Sequence, residues 1–141
     1  MALTSGTKLG PYEVVAPLGA GGMGEVYRGR DSRLDRTVAI KILHMHLAGS
    51  DEARQRFDRE ARAISSLSHP NICHLYDVGQ QDGISYLVME YLEGETLADR
   101  LRQGPLPLEQ VLRVRHAIHA YIPAPDKSTF AFIGDRTGPV P

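Results

Sequence analysis

The chain has 141 residues, enough for one domain with its own core. Hydrophobic residues make up 42% and charged residues 23%, proportions of an ordinary soluble globular chain rather than a disordered or membrane-spanning one. A net charge of −1 gives no bulk electrostatic reason to bind nucleic acid or a membrane surface, and the single cysteine, Cys73, allows no intramolecular disulfide and fits a reducing, cytoplasmic setting.

Residues 1–11 read as a polar leader without the apolar stretch of a signal peptide. No later run approaches the length of a membrane span. Tyr12-Glu13-Val14-Val15-Ala16, leading to Leu18, reads as a first strand, with Pro17 near its end, where a missing N–H is tolerated on an edge. Gly24 to Arg30 reads as a second strand, Asp31 to Asp35 as a polar turn, and Thr37 to Leu43 as a mostly apolar third strand.

Between the first two strands lies L-G-A-G-G-M-G-E-V, in which Gly19, Gly21 and Gly24 have the spacing G-x-G-x-x-G and Val26 follows two residues later. Glycines permit left-handed backbone and close approach, and bare N–H groups can point at phosphate oxygens. A dinucleotide site needs a helix to open at the third glycine, and a P-loop needs G-K-[ST]. Here Glu25 follows Gly24, and Glu25-Val26-Tyr27-Arg28 alternates as a strand does. The remaining reading is a hairpin whose glycine tip folds over a ligand, with the next strand, V-A-I-K, bringing Lys41 from below.

These two motifs, in this order, resemble the protein kinases. The M-G-E-V-Y of the glycine loop and the later H-P-N-I look most like the bacterial serine/threonine kinases, and the resemblance runs from about Leu9 to Leu112.

Ser50 to Leu67 reads as a helix, with Ser50 as cap and Asp51 and Glu52 at the positive end of its dipole. Ala53, Phe57, Ala61, Ile64 and Leu67 fall on one arc, and Glu60 lies within it. A carboxylate on a core-facing stripe is costly unless paired, and Lys41 is equally out of place on its apolar strand. Periodicity leaves two readings open: the two pair, or Glu60 reaches water at the rim. The resemblance favours the pair, since a helix glutamate holds this lysine in the kinases.

A break at His69-Pro70 precedes a fourth strand through Val78; Asp82-Gly83 signals a hairpin turn, and Ile84 to Glu90 reads as the fifth strand. Thr96 to Gln103 reads as a short helix ended by Gly104. Pro107 opens another helix, with Leu108, Val111, Leu112 and Ile118 on its buried face. From Tyr121 the proline- and glycine-rich sequence reads as an irregular tail.

The resemblance implies an α+β fold, the smaller kinase lobe: a five-stranded antiparallel sheet with one packed helix, followed by the first helices of the larger lobe. It divides the chain into residues 12–92 (the lobe), 93–120 (connector and first helices) and 121–141 (tail). The implied ligand is ATP with its Mg²⁺. Leu18, Gly19, Ala20, Gly21, Gly22, Met23, Gly24, Glu25 and Val26 would cover the nucleotide, Ala39 would floor the adenine pocket, and Lys41, held by Glu60, would bind phosphates. Met89 would guard the back pocket, Glu90 and Leu92 would offer backbone groups to the adenine edge, and Glu93 would reach the ribose.

The 141 residues contain no H-R-D, D-F-G or A-P-E, so the catalytic aspartate and both Mg²⁺-binding side chains of the kinase template are missing. Two readings follow: the ATP-grasping part of a serine/threonine kinase, inactive alone and weak in holding Mg²⁺, or a non-catalytic nucleotide- or protein-binding module. A protein substrate is implied only where a complete kinase exists. Without the larger lobe, Leu92, Leu97 and Leu101 would leave an apolar patch and drive self-association. His44, His46, His69, Cys73 and His74 lack the tight spacing of a structural zinc site. Arg54, Arg56, Arg59 and Arg62 read as a solvated helix face.

Overall fold

The computed structural model describes residues 2–20, 24–43, 49–66, 73–109, 111, 118–122 and 130–133. Its main sheet contains β1 (Lys8–Leu9), β2 (Tyr12–Ala20), β3 (Gly24–Asp31), β4 (Arg36–Leu43), β5 (Leu75–Gln81) and β6 (Ile84–Glu90). The order is β1-β2-β3-β4-β6-β5 and every pairing is antiparallel. This is six strands rather than the expected five, and the extra one comes from the leader. Gly6 and Gly10 take positive φ of 89° and 58°, which lets the leader reverse twice in a few residues. Leu9 is thereby carried into the core at 1% exposure.

β4 sits in the middle, and its side chains alternate between two packed faces. Val38, Ile40 and Ile42 join Leu9, Tyr12, Val14, Tyr27, Tyr86 and Val88 on one face. Ala39 and Leu43 join Leu87, Met89 and Cys73 on the other, where α1 (Asp51–Ser65) lays down Ala53, Phe57 and Ala61. The Ser50 hydroxyl accepts from the Ala53 N–H at 3.3 Å and caps the helix as expected. Arg54, Arg56, Arg59 and Arg62 are exposed. The side chains of Glu60 and Ile64, and all of Leu67, lie outside the described residues.

The sheet curls until its outer strands nearly meet. The Gln81 amide bridges them, accepting from the Gly10 N–H and donating to the Lys8 carbonyl at 3.3 Å. The Tyr12 hydroxyl adds a bond to Asp77 Oδ2 at 2.6 Å. Asp82 and Gly83, with φ of 51° and 79°, make the predicted tight hairpin between β5 and β6.

The second half departs further from expectation. The fourth predicted strand starts later, at Leu75, and runs past Val78 to Gln81. The short predicted helix begins one residue later than Thr96: Glu95–Thr96 is a short strand, β7, and α2 (Leu97–Arg102) follows it. Ile118, read as helical, opens β8 (Ile118–Ile122), and Phe130–Ile133 forms β9. The three make a second sheet in the order β7-β9-β8. The tail was read as irregular because prolines and glycines dominate it, yet Tyr121-Ile122 and Phe130–Ile133 are short runs of good strand formers.

Candidate functional site

β2 and β3 form the expected hairpin. Their last described rungs pair Gly19 with Val26 and Ala20 with Glu25. Gly21, Gly22 and Met23 themselves lie outside the described residues. The pairing skips at Pro17/Gly19, so Leu18 occupies a β-bulge and is 48% exposed. Bulges commonly re-aim a side chain beside a site.

The glycines are not equivalent. A Cβ on Gly24 would stand 1.9 Å from the Ile42 carbonyl oxygen, so β3 needs glycine there to lie against β4. A Cβ on Gly19 would meet nothing within 4 Å, and Gly19 has no left-handed φ. Among the described residues, packing gives no reason for glycine at 19.

Below the hairpin, register places Val26 beside Lys41, Lys41 beside Leu87, and Ala39 beside Met89. All five side chains fall on the α1 face. Lys41 is only 8% exposed, a cation on a wall otherwise built of Val26, Ala39, Leu43, Leu87 and Met89. Ala39 is small and buried, and Met89 is fully buried behind it.

The segment after β6 borders the same wall. Leu92 is half-buried and packs against the α1-face cluster, Glu90 and Tyr91 are half-buried, and Glu93 is exposed. The Glu90 N–H donates to the His74 carbonyl at 2.9 Å, and the Cys73 thiol approaches the Glu90 carbonyl at 3.4 Å. Both Glu90 backbone groups thus have partners within the chain. Cys73, 1% exposed, packs just ahead of β5.

Sequence reasoning missed a polar cluster at the opposite end of β3. Asp31 is fully buried and accepts from the Arg33 N–H at 3.0 Å, with the Arg33 and Arg36 guanidinium groups each 3.6 Å away. Burial alone would raise its carboxyl, but the backbone N–H groups of Arg33 and Leu34 and the two arginines hold it below the ordinary value. Arg33 also donates to the Tyr12 hydroxyl at 2.8 Å. Burial, and then the bond to Asp77, pushes Tyr12 up to about 12. The sequence signal was the buried parity of Asp31, which shares its face with Tyr27 and Gly29.

The protein kinase domain model matches residues 12–121. The chain belongs to the protein kinase family. This kinase-family chain is 46% identical over 110 residues to the serine/threonine-protein kinase PrkC of Bacillus subtilis, covering 77% of this chain and 17% of that protein. It is 44% identical over 117 residues to the serine/threonine-protein kinase pkn2 of Myxococcus xanthus, covering 78% and 14%. Among solved structures, the PknI kinase domain of Mycobacterium tuberculosis superposes with a TM-score of 0.68 at 34% identity, covering 80% of this chain and 46% of that one. The kinase-family chain thus spans under a fifth of these curated relatives and under half of the matched kinase domain. Among the described residues, no helix is long and apolar enough to cross a membrane.

Proposed function

We infer that the wall beneath the glycine hairpin binds ATP, as the nucleotide-grasping part of a serine/threonine protein kinase. The observation that carries this is Lys41: a cation at 8% exposure, at the end of V-A-I-K and directly across from Val26 of the hairpin. A buried ammonium needs negative charge close by, and phosphate oxygens supply it.

The residues present fit the ligand. Ala39 leaves room for a flat base against β4, and Met89 closes the pocket behind it. On this reading the Glu90 and Leu92 backbones lie along the base edge and Glu93, which is exposed, reaches the ribose. Gly19 lacks a side chain where nothing among the described residues forbids one, in keeping with a covering loop close to a ligand. Glu60 holds Lys41 from α1. Mg²⁺ comes with the nucleotide and neutralises phosphate charge. Its two usual side-chain ligands are not in these residues, so it is held weakly.

Residues 12–92 form the binding lobe, and 93–120 lead into the second lobe. Alone, these 141 residues transfer no phosphate, because no H-R-D aspartate positions an acceptor hydroxyl. Holding the ground state does not accelerate the step. The runner-up is a non-catalytic nucleotide- or protein-binding module.

The test is an ATP titration followed by backbone amide shifts. Shifts clustered at Leu18–Val26, Ala39, Lys41 and Met89–Glu93 are expected; shifts clustered elsewhere refute the assignment. Labelled ATP, Mg²⁺ and a protein acceptor, run beside Lys41→Met, test the absence of transfer. Transfer by the wild type that the substitution abolishes overturns that part.

A further inference from the structure

The nucleotide reading leaves the Tyr27 hydroxyl without a role. Tyr27 follows Val26 on β3, so its ring points to the other face, where it is 1% exposed among Leu9, Tyr12, Val14 and Ile40. The Leu3 N–H donates to its oxygen at 2.8 Å, and the hydroxyl donates to Glu25 Oε2. One phenol makes both bonds at once only while it keeps its proton. Burial, and then the bond to Glu25, raises its pKa and keeps it neutral.

Both ends of this relay are anchored in meaningful places. Glu25 pairs with Ala20 in the last described rung of the glycine hairpin. Leu3 packs against the buried cluster on the Tyr27 side, and its segment is fixed to β2 by Gly6 N–H to the Val14 carbonyl, 2.8 Å, and Val14 N–H to the Thr7 carbonyl, 2.9 Å. Because the relay lies on the face away from Lys41, it can stiffen the hairpin without occupying the ligand's space.

We propose that residues 3–9 brace the glycine hairpin from behind, with Tyr27 and Glu25 as positioning residues that tie its last rung to the Leu3 amide. A tip already held in place loses less freedom when a ligand binds under it. Displacing the N-terminal segment, by a partner or by modification near Leu3, slackens the hairpin. This consequence for ligand affinity rests on the nucleotide reading; the brace itself does not.

Hydrogen exchange on the full chain separates the two. Tyr27→Phe keeps the ring and removes the hydroxyl. It should speed exchange at Ala20 and Glu25 and at Gly6 and Thr7 roughly fivefold, the size of one lost hydrogen bond, while Val38–Ile42 exchange as before. Glu25→Ala should reproduce this with the tyrosine intact, and Glu25→Gln, which still accepts, should stay near the wild type. Unchanged exchange at Ala20 and Glu25 in both Tyr27→Phe and Glu25→Ala, or equal acceleration in every strand, overturns the brace. ATP affinity measured on the same proteins should fall in Tyr27→Phe. A wild type that binds no ATP refutes the nucleotide reading, and the exchange data then decide the brace alone.

Discussion

Gly24 and Gly19 belong to one motif, yet the structure gives them opposite reasons to be glycine. In Gly24→Ala the new methyl would lie 1.9 Å from the Ile42 carbonyl oxygen and 3.1 Å from its carbon, both backbone atoms that no rotamer change can move. Ordinary contact begins near 3.4 Å, so β3 must retreat from β4 by well over an ångström at this point. Gly24 pairs with Leu43 in the last rung of that ladder, so the strands can open there instead of straining throughout. The cost is then one or two end hydrogen bonds plus residual overpacking, about 2 kcal/mol and no more than about 3. Gly19→Ala meets no atom and needs no unusual φ, so stability should stay within about 0.5 kcal/mol of the wild type, with any gain coming from a less flexible unfolded chain. Urea unfolding of both variants by circular dichroism, at constant m-value, measures the contrast. On the nucleotide reading the order inverts for ligand affinity per unit of lost stability: Gly19→Ala weakens ATP binding while leaving the fold alone. Equal destabilisation by the two substitutions, or a harmless Gly24→Ala, would refute the packing argument. A harmless Gly19→Ala in both assays would remove the ligand as the reason for that glycine.

Three further outcomes follow from the packing. Gln81→Ala removes both bonds that join β1 to the β5–β6 turn and should cost about 1–2 kcal/mol in the same urea assay. Asp31 has a folded pKa below its unfolded value, so its stabilisation is fully present above pH 4 and is lost as pH falls through the lower folded pKa; Asp31→Asn should flatten stability against pH across that window. Leu101, Leu108 and Val111 are 49%, 74% and 45% exposed, so sedimentation velocity should show concentration-dependent association, and a monodisperse monomer at high concentration would contradict it.

Most of the first ninety residues was legible because local signals agreed with the fold. The Asp82-Gly83 pair named its turn, Ser50 named a helix start, and strict alternation in Glu25–Arg28 named the hairpin arm. The leader was misread because burial of Leu9 depends on a reversal at Gly10, and a glycine in sequence does not say which way the chain turns. The same limit hid β8 and β9. Each run is four or five residues long, too short for period to outweigh neighbouring prolines and glycines, and the pairing of β9 with Glu95–Thr96 is a long-range contact that no local pattern encodes.

The proposed site stands out in the sequence for a different reason: its residues break local rules rather than obey them. Lys41 stands where Val26 and Leu87 would accept another aliphatic side chain, and desolvating an ammonium there is costly. On the nucleotide reading that cost is offset by an anionic partner, whether α1's glutamate, a phosphate or both. Asp31 breaks the same rule and shows why the rule does not by itself identify a ligand site. Its carboxylate is equally buried, but Arg33 and Arg36 and two backbone N–H groups answer it from within the chain. Arg33 and Arg36 sit two and five residues away along the hairpin turn, visible in sequence once burial is known. The two charges differ in their described neighbours: Asp31 lies beside Arg33 and Arg36 at the β3–β4 turn, and Lys41 lies on the face that carries Val26, Ala39, Leu43, Leu87 and Met89, beneath the glycine hairpin.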